Sequence, residues 1–400
     1  MTETQLHAGS VPTKGELGKT GAIALIVGHC AGLIDLVALP VWVGALIVRF
    51  GFGPREAGAL VTLFLIGAVI ASVLTARNFN RLPRKALAVT GYALSALAFL
   101  LAAGQTGFVP LAVLHLLGGI ATGMALSLVH GSMGRAANPH RLFAFAGAGL
   151  GLFGVIYMAA VPQLLALHGG QILFYTFGAI MALAALAMLL AFPNVAGHAK
   201  GVTSREPFAA GVLAVVAGVS LMTFNQAMVF SFVEVIGNAR NFAPQAIVGT
   251  LIALGIVNFV GPAPLAALLE KRLSARSVVL AGPVVQATFA LVLTFATVLT
   301  VWAPVAAFFV AVQIFTHTFA FGLLARMDPT GRAVAATPAM LMTGSALGPI
   351  IGGILMESFG IGALGVTAVI VAALSVTCFA RGTRAQGLPK TTKSAALAGS

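Results

Sequence analysis

Apolar residues run through this chain in long unbroken blocks, and short polar stretches separate the blocks. Twelve blocks reach the roughly 20 residues that a helix needs to cross the hydrocarbon core of a bilayer. They cover residues 22–48, 57–79, 84–104, 109–132, 141–166, 171–192, 208–236, 246–269, 276–300, 303–325, 333–357 and 361–381. Barrel strands are about half as long and alternate apolar with polar positions, and these blocks do neither. The pattern predicts an all-α polytopic membrane protein with twelve spanning helices. The first block is much longer than a signal-peptide core and no small-residue cleavage site cuts it short, so it is read as helix 1 of the mature chain.

Composition agrees, since 59% of residues are hydrophobic and 8% charged, with a mean hydropathy of +1.04, well outside the soluble range. A net charge of +13 raises the question of nucleic acid, but the basic residues are scattered over short loops instead of forming one stripe, so no nucleic-acid partner is expected. With the N-terminus inside, only Arg49, Arg55 and Arg240 of the 22 Lys and Arg face out, and the other 19 fall in the tails and the loops after segments 2, 4, 6, 8 and 10. This positive-inside asymmetry predicts a cytoplasmic (inner) membrane protein with both termini cytoplasmic. Cys30 and Cys378 lie inside segments 1 and 12, as small apolar residues with no disulfide framework.

The chain also repeats itself. A constant shift of 191 positions relates Arg49 to Arg240, Gly58 to Gly249, Arg81 to Arg272, Gly91 to Gly282, Gly131 to Gly322, Arg135 to Arg326 and Arg141 to Arg332. Residues 1–193 and 208–400 therefore read as two six-helix halves, joined by the polar cytoplasmic linker "NVAGHAKGVTSREP" at 194–207. Six spans bring the second half in with the same orientation as the first, so the repeats are parallel, related by an axis along the membrane normal.

The loop after segment 2, "ARNFNRLPRKALAVTG", is similar to the loop signature of the major facilitator superfamily, in which a Gly, an Asp-Arg pair, a Gly and two basic residues follow in order. Ala76 stands at the first Gly, Asn80 at the Asp, Arg81 at the Arg, Pro83 at the second Gly, and Arg84 and Lys85 at the basic pair. In the second copy, "KRLSARSVVLAG", Lys271 stands at the Asp, Arg272 at the Arg, Ser274 at the Gly and Arg276 at a basic position. Together with twelve spans and the repeat, the resemblance covers nearly the whole chain. It implies a latch on the inner side, with Asn80, Arg81, Arg84, Lys85, Arg272 and Arg276 as gating residues. Two departures bear on it: Asn80 carries no charge and Lys271 has the opposite sign. Asn80 could still accept hydrogen bonds from free amides at the start of helix 11; the alternative is that the basic residues only mark the cytoplasmic side. In segment 11, "GSALGPIIGG" (Gly344, Gly348, Pro349, Gly352, Gly353) resembles an antiporter signature that exporters of the superfamily carry in helix 5. Segment 5 here reads "FAFAGAGLGLFG", and for both stretches close helix packing is the preferred reading.

Polar residues inside the blocks carry the candidate chemistry. Asp35 lies at the middle of segment 1, where a carboxylate costs about 2.5–3.5 kcal/mol even on the lenient insertion scale. The repeat pairs it with Gln226, beside Asn225, and segment 10 adds Gln313 and His317 four residues apart on one face. In the superfamily helices 1, 4, 7 and 10 line a central cavity, and by that resemblance Asp35, Asn225, Gln226, Gln313 and His317 converge there, with His115 of segment 4 at the outer rim. The other reading has the amides bonding neighbouring helices and His317 packed neutral. Asp35 is the expected proton carrier and His317 the next candidate. His29 is turned about 120° from Asp35, and Glu234 and Glu357 read as hydrated rim charges.

No Lys or Arg falls in a span core, which favours a small neutral or cationic organic solute over phosphate esters or dicarboxylates. No metal-spaced cluster, nucleophile elbow or phosphate-cradling loop is present, so neither an enzyme nor a cofactor or metal site is expected. The sequence therefore predicts a monomeric secondary active transporter working by alternating access and coupled to protons, with efflux preferred to import by proton symport. A membrane sensor that does not transport is the alternative from another class.

Overall fold

The computed structural model describes residues 18–136, 138–193, 208–328, 333 and 337–384, which form helices and connecting turns with no strand among them. The predicted linker 194–207 and Arg332 lie outside the described residues. The spans are α1 Lys19–Val48, α2 Pro54–Asn78, α3 Arg84–Ala102, α4 Phe108–Met133, α5 Pro139–His168, α6 Gln171–Ala191, α7 Ala210–Ala239, α9 Ala275–Phe295, α10 Leu299–Met327, α11 Thr337–Phe359 and α12 Gly362–Arg384. Between α7 and α9 runs α8, Pro244–Val260, continued beyond Gly261 by the short helix Pro262–Leu269. All except α8 are long and apolar enough to cross a bilayer unaided. Rows of exposed leucines, such as Leu94, Leu97 and Leu101 on α3 and Leu183, Leu186 and Leu190 on α6, form the apolar exterior that such a solvent requires.

Besides the eighth segment, broken at Gly261, two predicted helices are interrupted. Leu33 (φ −109°, ψ 27°) divides α1 into Lys19–Gly32 and Ile34–Val48, and Ser231 and Phe232 divide α7 into Ala210–Phe230 and Val233–Ala239. Each break starts a new helical piece inside the protein.

The repeat is reproduced in packing. In the first six helices α2 packs on α4, α3 on α4 and α6, and α1 on α6; in the last six α8 packs on α10, α9 on α10 and α12, and α7 on α12. The correspondence reaches single residues. A Cβ on Gly91 would lie 2.9 Å from the Cβ of Ala125, and one on Gly282 would lie 2.3 Å from Oγ1 of Thr316, the equivalent pair in the second half.

Across the halves, α2 meets α11 and α5 meets α8. Lys19, Arg77, Arg135, Arg276, Arg326 and Arg384 lie at helix ends on one side, termed the basic face, while Arg49, Arg55 and Arg240 lie on the far face. Near the far face the backbones of α2 and α11 touch: a Cβ on Gly58 would lie 2.2 Å from the Pro349 carbonyl oxygen, and one on Gly353 2.3 Å from that of Pro54. Small residues are what permit such an approach. The Ile350 amide donates to Thr62 Oγ1 across the same seam at 3.2 Å.

Candidate solute cavity

A cavity of about 170 Å³ lies between the halves, walled by α1, α5, α7, α8, α10 and α11. Its lining follows helical stripes: Gly147, Leu150, Gly151, Gly154 and Met158 on α5, Thr223, Gln226 and Phe230 on α7, and Val310, Gln313, Ile314 and His317 on α10. The three glycines leave bare backbone as part of the α5 wall. Leu36 and Val37 of α1, Leu254, Gly255 and Asn258 of α8, and Leu341 of α11 complete it. On α1, α7 and α11 the residues that join the halves, Gly44, Glu234 and Pro349, lie farther towards the far face than the lining residues. No charged side chain is part of the lining.

Three polar atoms of this wall are buried without a hydrogen-bond partner: Gln226 Oε1, Asn258 Oδ1 and His317 Nδ1. Buried polar groups are ordinarily satisfied by protein or water, so three around one cavity mark the place where a solute or water would bond. The His317 ring stacks on Phe321, with centroids 4.9 Å apart. Gln313 is held from both sides. Its Oε1 accepts from Gln286 Nε2 of α9 at 3.1 Å, and its Nε2 donates to Thr223 Oγ1 of α7 at 3.1 Å. Behind it Asn225 Nδ2 donates to Gln286 Oε1 at 3.4 Å and to the Ala368 carbonyl of α12 at 3.3 Å.

Of the residues expected to converge, the structure brings Gln226, Gln313 and His317 together at the cavity. Asn225, one position from Gln226 and so about 100° round the helix, faces α9 and α12 instead. Asp35 is buried, 3% exposed, and is not in the lining, although Leu36 and Val37 are. The break at Leu33 places it in the first turn of the second piece of α1. A helix N-terminus favours a negative charge, which answers why an acid is tolerated at that depth. His115 does not rim the cavity. It sits inside the first half, its Nδ1 bonded to the Leu111 carbonyl at 2.7 Å and its ring among Trp42, Phe99 and Phe174. α4 adds nothing to the lining, and α5, α8 and α11 take its expected place.

Thr223, Asn258 and Gln286 were not singled out in the sequence. The repeat carried the signal for one of them: Gln286 and Gln313 stand at the positions of Ser95 and Thr122, whose hydroxyls meet at 2.7 Å between α3 and α4.

On the basic face the Asn80 side-chain oxygen accepts from Arg135 Nη2. The Arg135 guanidinium lies 4.3 Å from the Phe79 ring centroid and that of Arg84 lies 5.5 Å from it. Burial, then the neighbouring Arg84, lower the Arg135 pKa from its usual value, though a guanidinium stays charged. Asn80 is thus engaged within its own half, where the sequence pointed to the start of α11. At the equivalent place of the second half, Lys271 and Arg326 are both cations and cannot repeat the bond. Arg81, Lys85, Arg272 and Arg276 are exposed. Of the segment-11 glycines, Gly344, Gly348 and Gly352 lie against the α7 backbone, whereas Gly353 and Pro349 lie against α2.

The model of the Major Facilitator Superfamily matches residues 24–330. The chain belongs to the major facilitator superfamily. It is accordingly a membrane transporter and not an enzyme. A comparison with curated protein sequences gives no match. Among solved structures, this major facilitator is similar to the nucleoside transporter NupG, with a TM-score of 0.70 and 16% identity over 91% of this chain and 98% of that one. It is also similar to a D-xylose-proton symporter, with a TM-score of 0.69 and 16% identity over 91% of this chain and 96% of that one. A bacterial homolog of the human lysosomal transporter Spinster, in an inward-facing and unoccupied conformation, gives a TM-score of 0.67 and 15% identity over 96% of this chain and 100% of that one. At these identities the likeness carries the fold.

Proposed function

We propose that this major facilitator is a proton-coupled secondary transporter of a small uncharged organic solute, which binds in the cavity between the halves and crosses by alternating access. The observation that carries the reading is the set of unpartnered polar atoms of Gln226, Asn258 and His317 around a wall that is otherwise apolar and holds no charge. Two amides and an imidazole offer both donors and acceptors, which suits a neutral solute with a hydrogen-bonding edge. A cationic solute is less well served, because Asp35 is not in the lining. Nucleosides and D-xylose, named for two of the similar structures, are neutral compounds of this kind.

In this reading the basic face is cytoplasmic, both termini lie inside and the protein works as a monomer in the inner membrane. Asp35 carries the proton without touching the solute: its charge at the start of the second piece of α1 interacts with the helix dipole, so gaining or losing a proton biases the bend at Leu33. Arg81, Arg84, Lys85, Arg272 and Arg276 bridge the halves when the cytoplasmic side closes. The apolar share of the wall favours a solute that partitions into apolar surroundings, and export in exchange for protons is the proposed direction.

The test is a thermal-shift screen of neutral compounds on purified protein, followed by flux of the hits in proteoliposomes of known orientation. Saturable flux that follows an imposed proton gradient and collapses with an uncoupler is expected. Ligand binding without flux would make the protein a sensor, and flux indifferent to the gradient would remove the coupling.

A further inference from the structure

A second carboxylate enters the seam between the halves nearer the far face, and the transport reading above gives it no role. Glu234 opens the second piece of α7, and its carboxylate lies against α1 where Gly44 has no side chain. A Cβ at Gly44 would stand 2.9 Å from Glu234 Cδ, 3.0 Å from Oε1 and 3.2 Å from Oε2. Oε2 is buried and has no hydrogen-bond partner. The Tyr157 hydroxyl of α5, also buried and unpartnered, lies within electrostatic reach of the same carboxylate. Arg49, at the far-face end of α1, is a cation within electrostatic reach, but no ion pair joins it to Glu234 among the described residues. Arg240, at the end of the same helical piece, donates to the Thr294 carbonyl. α8 and α9, which also pack on this piece, have no ionisable side chain within 244–255 or 286–295.

An ionised carboxylate with one oxygen buried and unpaired is the costly form in such a place, and the neutral acid costs far less. When α1 and α7 part at the far face, the same carboxylate meets water and the ionised form becomes the stable one. Proton binding and closure are then reciprocally linked.

We propose that Glu234 is a proton-binding site of the far-face gate, occupied by a proton when α1 and α7 are in contact and emptied when they separate. The inference rests on alternating access but not on Asp35 being the coupling residue.

The test uses spin labels at Thr106→Cys and Thr297→Cys, exposed far-face loop positions of the two halves, in protein with Cys30 and Cys378 changed to Ser. Double electron–electron resonance in nanodiscs reads the ratio of far-face-open to far-face-closed molecules. In the parent protein this ratio should rise with pH, by up to about tenfold per pH unit across the titration for one linked proton. Glu234→Gln should stay closed at every pH. Gly44→Ala, which displaces the carboxylate without removing it, should enrich the open form. A parent ratio that does not respond to pH, or a Glu234→Gln protein that keeps the parent's response, overturns the proposal. Should the response vanish in Asp35→Asn and persist in Glu234→Gln, the linked proton is on Asp35 and the transport reading stands without this site.

Discussion

Gln286 of α9 donates its side-chain N–H to Gln313 of α10 at 3.1 Å, and Gln313 in turn faces the cavity. The equivalent positions of the first half hold Ser95 and Thr122, which also bond each other but are not in the lining of this cavity. One polar pair therefore joins helices in both halves and reaches the cavity in one. Gln286→Met should strip partners from both Gln313 and Asn225. Single interhelical hydrogen bonds in membranes average about 0.6 kcal/mol, but stranded buried amides cost about 1–3 kcal/mol, and the second effect wins here. A lowered Tm together with weakened solute binding is expected. Ser95→Ala should lower Tm alone, and equal loss of binding in both variants would detach Gln286 from the site.

The Arg55 amide, in the first turn of α2, donates to Glu357 Oε2 of α11 at 3.2 Å. A carboxylate of one half thus sits at the helix N-terminus of the other, a contact worth about 0.3–1 kcal/mol. Glu357→Ala should raise the ratio of far-face-open to far-face-closed molecules by roughly two- to fivefold across that range, measured between the same spin labels. An unchanged distribution would leave Glu357 as the hydrated rim charge that the sequence suggested.

Backbone contact at Gly58 and Gly353 makes closure of the far face sterically tight in a way that a side chain would spoil. Gly58→Val should cost about 1–3 kcal/mol in the closed form, as overpacking does, while α2 can keep its contacts with α4. Purified Gly58→Val should fold, accumulate in the open state and transport slowly. Parent-like turnover would show that α2 and α11 have room to spare.

Much of this was legible in the sequence because it rests on bulk properties. The spans follow from apolar length, and the packing of Gly91 and Gly282 follows from the repeat. The site was legible only in part. Gln226, Gln313 and His317 are polar residues in apolar helices that do face the cavity, but facing depends on helix rotation and on breaks. Nothing in the apolar run of segment 1 distinguishes the turn at Leu33, which puts Leu36 and Val37, and not Asp35, against the cavity. Segment 5 was read for packing, and its glycines do pack, Gly151 on Phe259; the same bareness lets the cavity reach its backbone. Glu234 was read as a hydrated rim charge from its place near a helix end. The structure instead seats it against Gly44, a contact between residues of different halves that one-dimensional spacing does not reveal.

Gln226, Asn258 and His317 should share the solute. Replacing one hydrogen-bonding group typically removes about 0.5–1.5 kcal/mol, so Gln226→Ala, Asn258→Ala and His317→Ala should each weaken binding of a screened ligand by roughly two- to tenfold. Removal of an unpartnered polar atom from the cavity wall should at the same time leave the Tm of solute-free protein unchanged or raise it. Lower Tm with unaltered affinity in all three would assign them to packing.

Asp35 offers the sharpest separation between binding the solute and driving it. The residue is withdrawn from the cavity lining and belongs to the first turn of a helical piece that begins inside the membrane span. Its proton can therefore alter the bend of α1 without altering the wall that holds the solute. Asp35→Asn keeps the shape and can still accept hydrogen bonds, but it cannot titrate. Solute affinity should stay within about twofold of the parent, since no lining group changes, while a charge–dipole contribution of up to about 2 kcal/mol is lost from one protonation state. Uncoupled exchange should continue and accumulation against a gradient should disappear, both measured in the same proteoliposomes. If the variant still concentrates solute in a pH-dependent way, the driving proton sits elsewhere, with Glu234 and His317 the residues to change next. If it loses binding as well, Asp35 acts as a direct counter-charge and the solute is a cation.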